Sequence, residues 1–303
     1  MADMESGTDL IEAAKVGVAS MGPIFDLNVL KGTAVLYAPL VSRQSRSGVR
    51  IEQDVVYGAH ERHRFDLFVP ENAANAPILI FIHGGGFVGG SKTVNEQFYR
   101  NIGVYFATRG VIAMIANYRL APQNGWPAGT QDVAALASWA RDNAAPLSGD
   151  AGAIFLFGQS AGGAHVAGYL SSPEHWPGED AGIAGGIVMS GVYRAFGDRV
   201  GPGMLAYFGD DEDVRRANCP LTLAPANRTP MMIGVMEYDP PDIAVHSFEL
   251  AAALTRAGDR APHFHWFRGH NHASTVYGIG SGQDEVGEAI LHFMDEQRAG
   301  VVA

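Results

Sequence analysis

The stretch Gly158-Gln-Ser160-Ala-Gly162 is the most informative part of the sequence for the fold, because it joins two segments of different residue composition. It follows the apolar run Ala153–Phe157, which predicts a buried strand, and it leads into the Ala-rich segment Ala161–Leu170, which predicts a helix. A tight strand-to-helix turn crowds its neighbours, so small residues are needed two positions before and after the serine. Such a turn would lift the Ser160 hydroxyl away from the backbone and aim the next amide at a ligand.

Outside this turn, short β-rich segments alternate with longer helical segments. Ile78–Ile82 and Val111–Ala116 are apolar throughout, as in strands covered on both faces, whereas Arg64–Val69 alternates as in an edge strand. This alternation predicts a mostly parallel, doubly wound α/β sheet of eight strands. The expected strands are Val49–Tyr57, Arg64–Val69, Ile78–Ile82, Val111–Ala116, Ala153–Phe157, Ile183–Ser190, Met231–Met236 and Phe264–Phe267. The expected helices are Gln131–Asn143, Ala161–Leu170, Ile243–Arg256 and Asp284–Gln297.

No internal repeat or Pro/Ser-rich linker divides the chain, so we expect one domain over residues 1–303. Two stretches do not follow the alternation of strands and helices. The N-terminal segment, residues 1–46, has helical texture, and the insertion segment, residues 194–227, clusters aromatic and acidic side chains. Because long irregular insertions are often functional, we expect both segments to act as lids over one end of the sheet.

Composition and charge exclude several classes of function. Hydrophobic residues make up 47% of the chain and charged residues 17%, which excludes a disordered or fibrous protein. A formal net charge of −11 argues against nucleic acid or an anionic membrane as partner, since both require clustered cations. The single cysteine, Cys219, fits a reducing compartment, and no apolar run reaches the roughly 18 residues of a spanning helix. The acidic start of the chain is unlike a signal peptide, so we expect a cytoplasmic location.

A second motif, His83-Gly84-Gly85-Gly86-Phe87, directly follows the apolar run Ile78–Ile82. Three successive glycines let the backbone turn sharply and bring unhindered amides against a ligand. Amide donors held in this way stabilise the negative charge of a tetrahedral intermediate in acyl transfer. A dinucleotide-binding loop is a poorer interpretation, because the spacing G-x-G-x-x-G does not follow the strand.

Together and in this order, the two motifs resemble the α/β-hydrolase fold, and more narrowly the hormone-sensitive-lipase-like esterases with their His-Gly-Gly-Gly loop. The stretches Asn117–Pro122, Trp126–Asp132 and Cys219-Pro-Leu221 are similar to further motifs of that family. The resemblance covers residues 54–294, and residues 1–50 match only as a helical extension.

Two positions depart from the family pattern. Gln159 stands where the family often has an acidic residue, and Asp239-Pro-Pro-Asp242 is one residue shorter than the usual acid motif. Both features are closer to acetyl-esterase-like and arylformamidase-like relatives, so the departures concern the substrate rather than the fold.

The resemblance implies a Ser-Asp-His triad with Ser160 as nucleophile, and the acid and base follow in chain order at strand ends. The predicted strand Met231–Met236 ends in three carboxylates. Asp239 matches the acid position of the family motif, and Glu237 and Asp242 remain rivals.

The base and the oxyanion hole complete the implied machinery. His270 and His272 both follow the last predicted strand, and the family pattern favours His272 as the base. The resemblance further implies an oxyanion hole made of the backbone amides of Gly85, Gly86 and Ala161.

The predicted activity is hydrolysis of short-chain acyl esters by a serine carboxylesterase through an acyl-enzyme intermediate, with no cofactor and no metal. A small-molecule ester is the expected partner, without nucleic acid or membrane, and the sequence permits a homodimer. The side chains expected to line the substrate pocket are Phe87, Tyr193, Met204, Tyr207 and Phe208.

Three alternatives remain open at this stage. An arylformamidase or amidase would use the same triad. A zinc-dependent hydrolase is suggested by the alternating array His263, His265, His270 and His272, although no complete zinc motif is present. A non-catalytic binding protein of this fold would have no need of the complete serine apparatus.

Overall fold

One eight-stranded sheet forms the centre of the protein, in a computed structural model that describes residues 7–258 and 260–300. In chain order the strands are β1 (Val49–Val56), β2 (Arg64–Pro70), β3 (Ala76–Ile82), β4 (Ile112–Ala116), β5 (Gly149–Gln159), β6 (Gly185–Met189), β7 (Met231–Tyr238) and β8 (His263–Asn271). Across the sheet the order is β1-β2-β4-β3-β5-β6-β7-β8. β2 pairs antiparallel with β1 and β4, and the other pairs are parallel, which confirms the predicted sheet.

Helices cover both faces of the sheet. In chain order they are α1 (Gly7–Met21), α2 (Leu27–Val41), α3 (Arg100–Ala107), α4 (Ala128–Asn143), α5 (Ala161–Leu170), α6 (Pro202–Phe208), α7 (Glu212–Asn218), α8 (Pro220–Leu223), α9 (Pro241–Ala257), α10 (Ser274–Tyr277) and α11 (Glu285–Gly300). The four predicted helices are present as α4, α5, α9 and α11. Within residues 7–258 and 260–300, none of the helices combines the length and apolarity that crossing a bilayer requires.

The core lies on both faces of the sheet. In β3, Ile78, Ile80 and Ile82 point to one buried cluster, whereas Leu79 and Phe81 point to the other. The cluster that contains Leu79 and Phe81 also contains residues of helices α1, α2, α3 and α11. The cluster that contains the three isoleucines also contains residues of α4, α5 and α9. Burial on both faces is the reason that this strand is apolar throughout.

The N-terminal segment and the insertion segment, which lie outside the alternation of strands and helices, are both helical. The N-terminal segment contains α1 and α2, which contact β8 and α10, and the insertion segment contains α6, α7 and α8. Residues 1–6 of the N-terminal segment lie outside the described residues, as do 259 and 301–303. The single-domain organisation and the function of both segments as lids therefore stay predictions.

Candidate active site

Ser160 lies in a strained turn between β5 and α5. Its backbone adopts φ 57° and ψ −125°, a conformation that L-residues rarely adopt without support from their surroundings. A Cβ at Gly158 would collide with the carbonyl of Gly162, and a Cβ at Gly162 would collide with the carbonyl of Ile82. The amide of Ser160 donates to the carbonyl of Met189 at 2.9 Å. The glycines on either side are therefore required by steric contact, and they leave the serine half-buried at the end of the sheet.

The glycine loop, residues 83–87, lies directly beside this serine. A Cβ at Gly84 would come within 2.9 Å of the Ser160 Cβ. Gly85 and Gly86 have φ values of 135° and 58°, which only glycine adopts readily. Among the hydrogen bonds between described residues outside regular elements, none uses the amide of Gly85, Gly86 or Ala161 as donor. These amides are thus available to a bound oxyanion.

His83, the first residue of the glycine loop, stabilises the loop through a hydrogen bond and a ring contact. Its Nδ1 donates to the carbonyl of Gly84 at 2.6 Å, and its ring stacks on Tyr118 with centroids 4.5 Å apart. Complete burial lowers the pKa of His83 to about 4, so the imidazole is neutral at physiological pH. A neutral ring that donates to the loop's own carbonyl favours one conformation of the loop.

The acid and base predicted from chain order are in contact. Asp239 follows β7, and its Oδ1 lies 3.2 Å from Nδ1 of His272. Its other oxygen, Oδ2, accepts from the Ser190 hydroxyl at 2.6 Å and from the Met236 amide at 2.9 Å. Because a carboxylate can only accept, Nδ1 of His272 is the donor in this contact, and in the neutral imidazole Nε2 is then the acceptor. Nε2 is buried and has no hydrogen-bond partner among the described residues. The rival Asp242 is exposed in the first turn of α9.

Gln159 connects the serine turn to the loop that carries His272. Its side-chain amide donates to the carbonyl of His272 at 3.0 Å, and its Oε1 packs against Gly84. An ionised acid at this position could only accept hydrogen bonds, so it could not make the contact to the carbonyl. From the sequence, Gln159 was evident only as a departure from a family pattern, whereas the structure gives it contacts with both neighbouring loops.

The other two rivals take part in separate contacts. Glu237 accepts the amide of Gly269 at 2.7 Å. The Nδ1 of His270 lies 3.2 Å from the Ser274 hydroxyl, and its Nε2 lies 3.1 Å from the side-chain amide of Gln283. Both ring nitrogens of His270 are thus occupied, and Glu237 holds a neighbouring turn. The structure brings neither of them to the Asp239–His272 pair.

Four of the five side chains predicted to line the substrate pocket pack together over the start of α5. The ring of Phe87 stacks on that of Tyr207 at 4.9 Å, and the Tyr207 hydroxyl accepts the amide of Gly129 at 3.1 Å. The fifth, Tyr193, belongs to the buried cluster on the sheet face instead. The apolar cluster beside the serine consists of Phe87, Ala121, Ala161, Ala164, Ala195, Met204, Tyr207, Phe208 and Cys219.

The insertion segment packs directly on the glycine loop. A Cβ at Gly203, in α6, would collide with the carbonyl oxygen of Gly86. The buried guanidinium of Arg215 donates to the carbonyls of Ala195 and Gly209, at 2.9 and 3.0 Å, which ties the start of the segment to its middle. The conformations of α6 and of the glycine loop are therefore coupled.

The N-terminal segment packs on the loop that carries His272. The ring of Phe25, in the turn between α1 and α2, lies 4.2 Å from the imidazole of His272, centroid to centroid. In α2, the hydroxyl of Thr33 accepts from the Asn271 side chain at 2.9 Å, and the Tyr37 hydroxyl donates to Gln283 at 2.6 Å. No pattern in the sequence pointed to Phe25, because its contact depends on the packing of segments far apart in the chain.

The candidate site lies at the carboxyl ends of the strands, and two surface cavities lie at the other end. A cavity of about 620 Å³ is lined in part by Met231 and His263, the first residues of β7 and β8. A cavity of about 180 Å³ is lined in part by Pro77 and Val111, near the starts of β3 and β4. Neither cavity includes a residue of the predicted triad.

The alternating histidines lie in different surroundings. Nδ1 of His263 is 3.6 Å from Glu296, and the ring of His265 stacks on Phe267, whereas His270 and His272 make the separate contacts described above. Within the described part of the chain, no group of three His, Cys, Asp or Glu side chains is arranged to hold a metal ion.

Several known proteins are similar to this chain. A family model described as BD-FAE matches residues 65–177. The carboxylesterase NlhH of Mycobacterium tuberculosis is 30% identical over 55% of this chain and 57% of its own length. A probable isoprenylcysteine alpha-carbonyl methylesterase of Oryza sativa is 26% identical over 70% of this chain and 56% of its own length. The chain thus spans just over half the length of these two curated relatives.

A solved structure covers nearly the whole chain. The hyperthermophilic esterase of Pyrobaculum calidifontis superposes with a TM-score of 0.69, 20% identity and 98% coverage of both chains. The sheet order and this superposition show that the chain has the α/β-hydrolase fold. Within that class it is similar to the hormone-sensitive-lipase-like carboxylesterases.

Proposed function

We propose that the protein is a serine carboxylesterase. The observation that carries this proposal is the contact between Asp239 and His272, 3.2 Å apart, beside a strained turn that presents Ser160. The unpaired amides of Gly85, Gly86 and Ala161 support it, because they supply donors for an oxyanion next to the same serine.

The proposed reaction has two halves. Ser160 attacks the acyl carbon and passes its proton to Nε2 of His272, and Asp239 stabilises the imidazolium. The ester C–O bond then breaks, and the leaving oxygen takes the proton from Nε2. In the second half a water molecule, deprotonated by the same nitrogen, releases the acid from Ser160 and restores the serine hydroxyl.

Short acyl chains are the proposed acyl groups. The aromatic cluster around Phe87, Tyr207 and Phe208 is densely packed, and each is 5% exposed or less. A buried methylene contributes ~0.8 kcal/mol only while the pocket has room for it. We therefore propose a preference for acyl chains of about two to six carbons, with the N-terminal segment, residues 1–46, and the insertion segment, residues 194–227, acting as lids.

Assembly and location complete the proposal. We propose a homodimer, supported by the exposed aromatic side chains of Phe264 and Trp266 on the edge strand β8. A cytoplasmic location is supported by the single cysteine, Cys219, which is buried and unpaired; recovery of the protein from an oxidising compartment would contradict this location.

The test is a panel of p-nitrophenyl esters of rising acyl length, measured beside N-formyl and anilide substrates. We expect short esters to be the best substrates, Ser160→Ala to lower kcat by about 10⁴ to 10⁶, and EDTA to have no effect. Activity that is lost in EDTA and restored by zinc would contradict the serine mechanism. Faster turnover of anilides or N-formyl compounds than of esters would instead change the substrate class.

A further inference from the structure

The turn between α1 and α2 places an apolar surface next to the proposed base. The ring of Phe25 lies against the imidazole of His272, with ring planes inclined at 53°. Phe25 is 41% exposed, and its neighbours Ile24 and Leu27 are 52% and 71% exposed. Clustered exposed apolar side chains beside a polar site mark a surface that binds an apolar ligand.

This turn is held in place from both sides. The carboxylate of Asp26 caps α2 by accepting two amides of its first turn, at 2.8 and 2.9 Å. Further along α2, Thr33 accepts a hydrogen bond from Asn271, the residue before His272. Phe25 and His272 are therefore fixed relative to each other, so the apolar surface is already formed before a ligand binds.

We propose that Phe25 forms the wall of the subsite for the leaving alcohol, and that the protein selects esters of bulky apolar alcohols, aromatic ones above all. This inference rests on the proposed esterase function. When the ester C–O bond breaks, its electron pair stays on the alcohol oxygen, which takes the proton from Nε2 of His272. Proton transfer requires that oxygen within about 2.6–3.2 Å of Nε2, so the carbon skeleton attached to it lies beside the imidazole. Phe25 is the aromatic side chain in contact with that ring.

The acyl side of the ester points to a different surface. In the proposed reaction its carbonyl oxygen accepts from the amides of the glycine loop. Phe87, the last residue of that loop, stacks on Tyr207. The acyl group thus lies near α6, and the alcohol lies near the α1–α2 turn. Acyl preference and alcohol preference are consequently set by separate segments, and substitutions should change one without the other.

The experiment compares benzyl acetate with ethyl acetate, which form the same acetyl-enzyme and differ only in the alcohol. We expect the wild-type protein to favour benzyl acetate in kcat/KM. Phe25→Ala should lower kcat/KM for benzyl acetate by about tenfold, equivalent to ~1.4 kcal/mol, and change the value for ethyl acetate by less than about twofold. Phe25→Leu, which keeps an apolar side chain without the ring, should give an intermediate value and guards against misfolding of the alanine variant.

Two controls separate the alcohol subsite from a general effect. Val35→Ala truncates an apolar residue of α2 that is 72% exposed, and it should leave kcat/KM for both substrates unchanged. The ratio of ethyl acetate to ethyl butyrate should also be unchanged in Phe25→Ala. Equal losses on benzyl and ethyl acetate, or a change in acyl preference, would overturn the inference and leave the esterase function intact. If the wild-type protein hydrolyses neither ester, the proposed function fails and this inference fails with it.

Discussion

The two carboxylates at the end of β7 differ in what their oxygens accept. Asp239 accepts from three groups, among them Nδ1 of His272 at 3.2 Å, whereas Glu237 accepts the amide of Gly269. We expect Asp239→Asn to lower kcat by about 10⁴, because an amide nitrogen facing Nδ1 would favour the wrong tautomer of the imidazole. Glu237→Gln keeps an oxygen for the Gly269 amide and should retain most of the activity.

The measurement is kcat at saturating short-chain ester for both purified variants, with thermal unfolding recorded alongside. Both substitutions exchange a carboxylate for an amide of the same shape, so a difference in kcat reports the position rather than the lost charge. An inactive Glu237→Gln and an active Asp239→Asn, both folded, would move the acid to Glu237.

For single residues of the candidate site, the sequence predicts the side chains that follow strands. It does not predict the side chains whose role depends on tertiary contacts. Ser160, Asp239 and His272 could be predicted because each follows a strand in a known chain order. Gln159 and Phe25 could not, since their contacts with the His272 loop depend on how distant segments pack. For the same reason the sequence left His270 and Glu237 as alternatives.

Among the elements, α6 and the glycine loop form a contact that is sensitive to substitution. A Cβ at Gly203 would collide with the carbonyl of Gly86, and a backbone atom cannot rotate away as a side chain can. We expect Gly203→Ala to displace the Gly86 amide and to lower kcat by up to about 10²–10³, the cost of one lost oxyanion donor.

The matched control lies two residues earlier on the same turn. A Cβ at Gly201 would meet only the methyl of Met204, at 4.0 Å, and its φ of −71° suits any residue. Gly201→Ala should therefore behave as wild type in kcat and in melting temperature. Full activity in folded Gly203→Ala would show that α6 does not constrain the loop.

The elements themselves differ in how well the sequence predicts them. The eight strands and the helices α4, α5, α9 and α11 were predicted within four residues of their observed bounds, because their apolar runs and Ala-rich segments are clear in the sequence. Helices α1 and α2 were expected only as a segment of helical character. Helix α3 was not predicted, because its eight residues make only about two turns and include Gly103, Val104 and Tyr105, which are weak helix formers. The short helices α6, α7 and α8 were expected only as an irregular segment, since four to seven residues are too few to show a period.

At the scale of the whole molecule, the two edges of the sheet differ in character. The edge strand β1 carries Arg50, Glu52 and Asp54, and charged side chains protect an edge from pairing. The edge strand β8 instead exposes Phe264 and Trp266, 37% and 53% exposed. An exposed edge strand with aromatic side chains is a surface on which a further strand can pair.

A second copy of β8 is the partner that suits this edge. A twofold axis would pair β8 with itself in antiparallel orientation, and both copies would bury the same aromatic patch. Phe248 of α9 belongs to this patch, because its ring lies 5.2 Å from that of Phe264.

Light scattering should then give a molar mass of twice 32.2 kDa. Trp266→Lys should shift the population to monomer, because it buries a charge in each half of the interface. Val56→Lys, an exposed apolar residue of β1 on the other edge, should leave the mass unchanged. A wild-type mass of 32.2 kDa at micromolar concentration would refute the homodimer, and a dimer insensitive to Trp266→Lys would place the interface elsewhere.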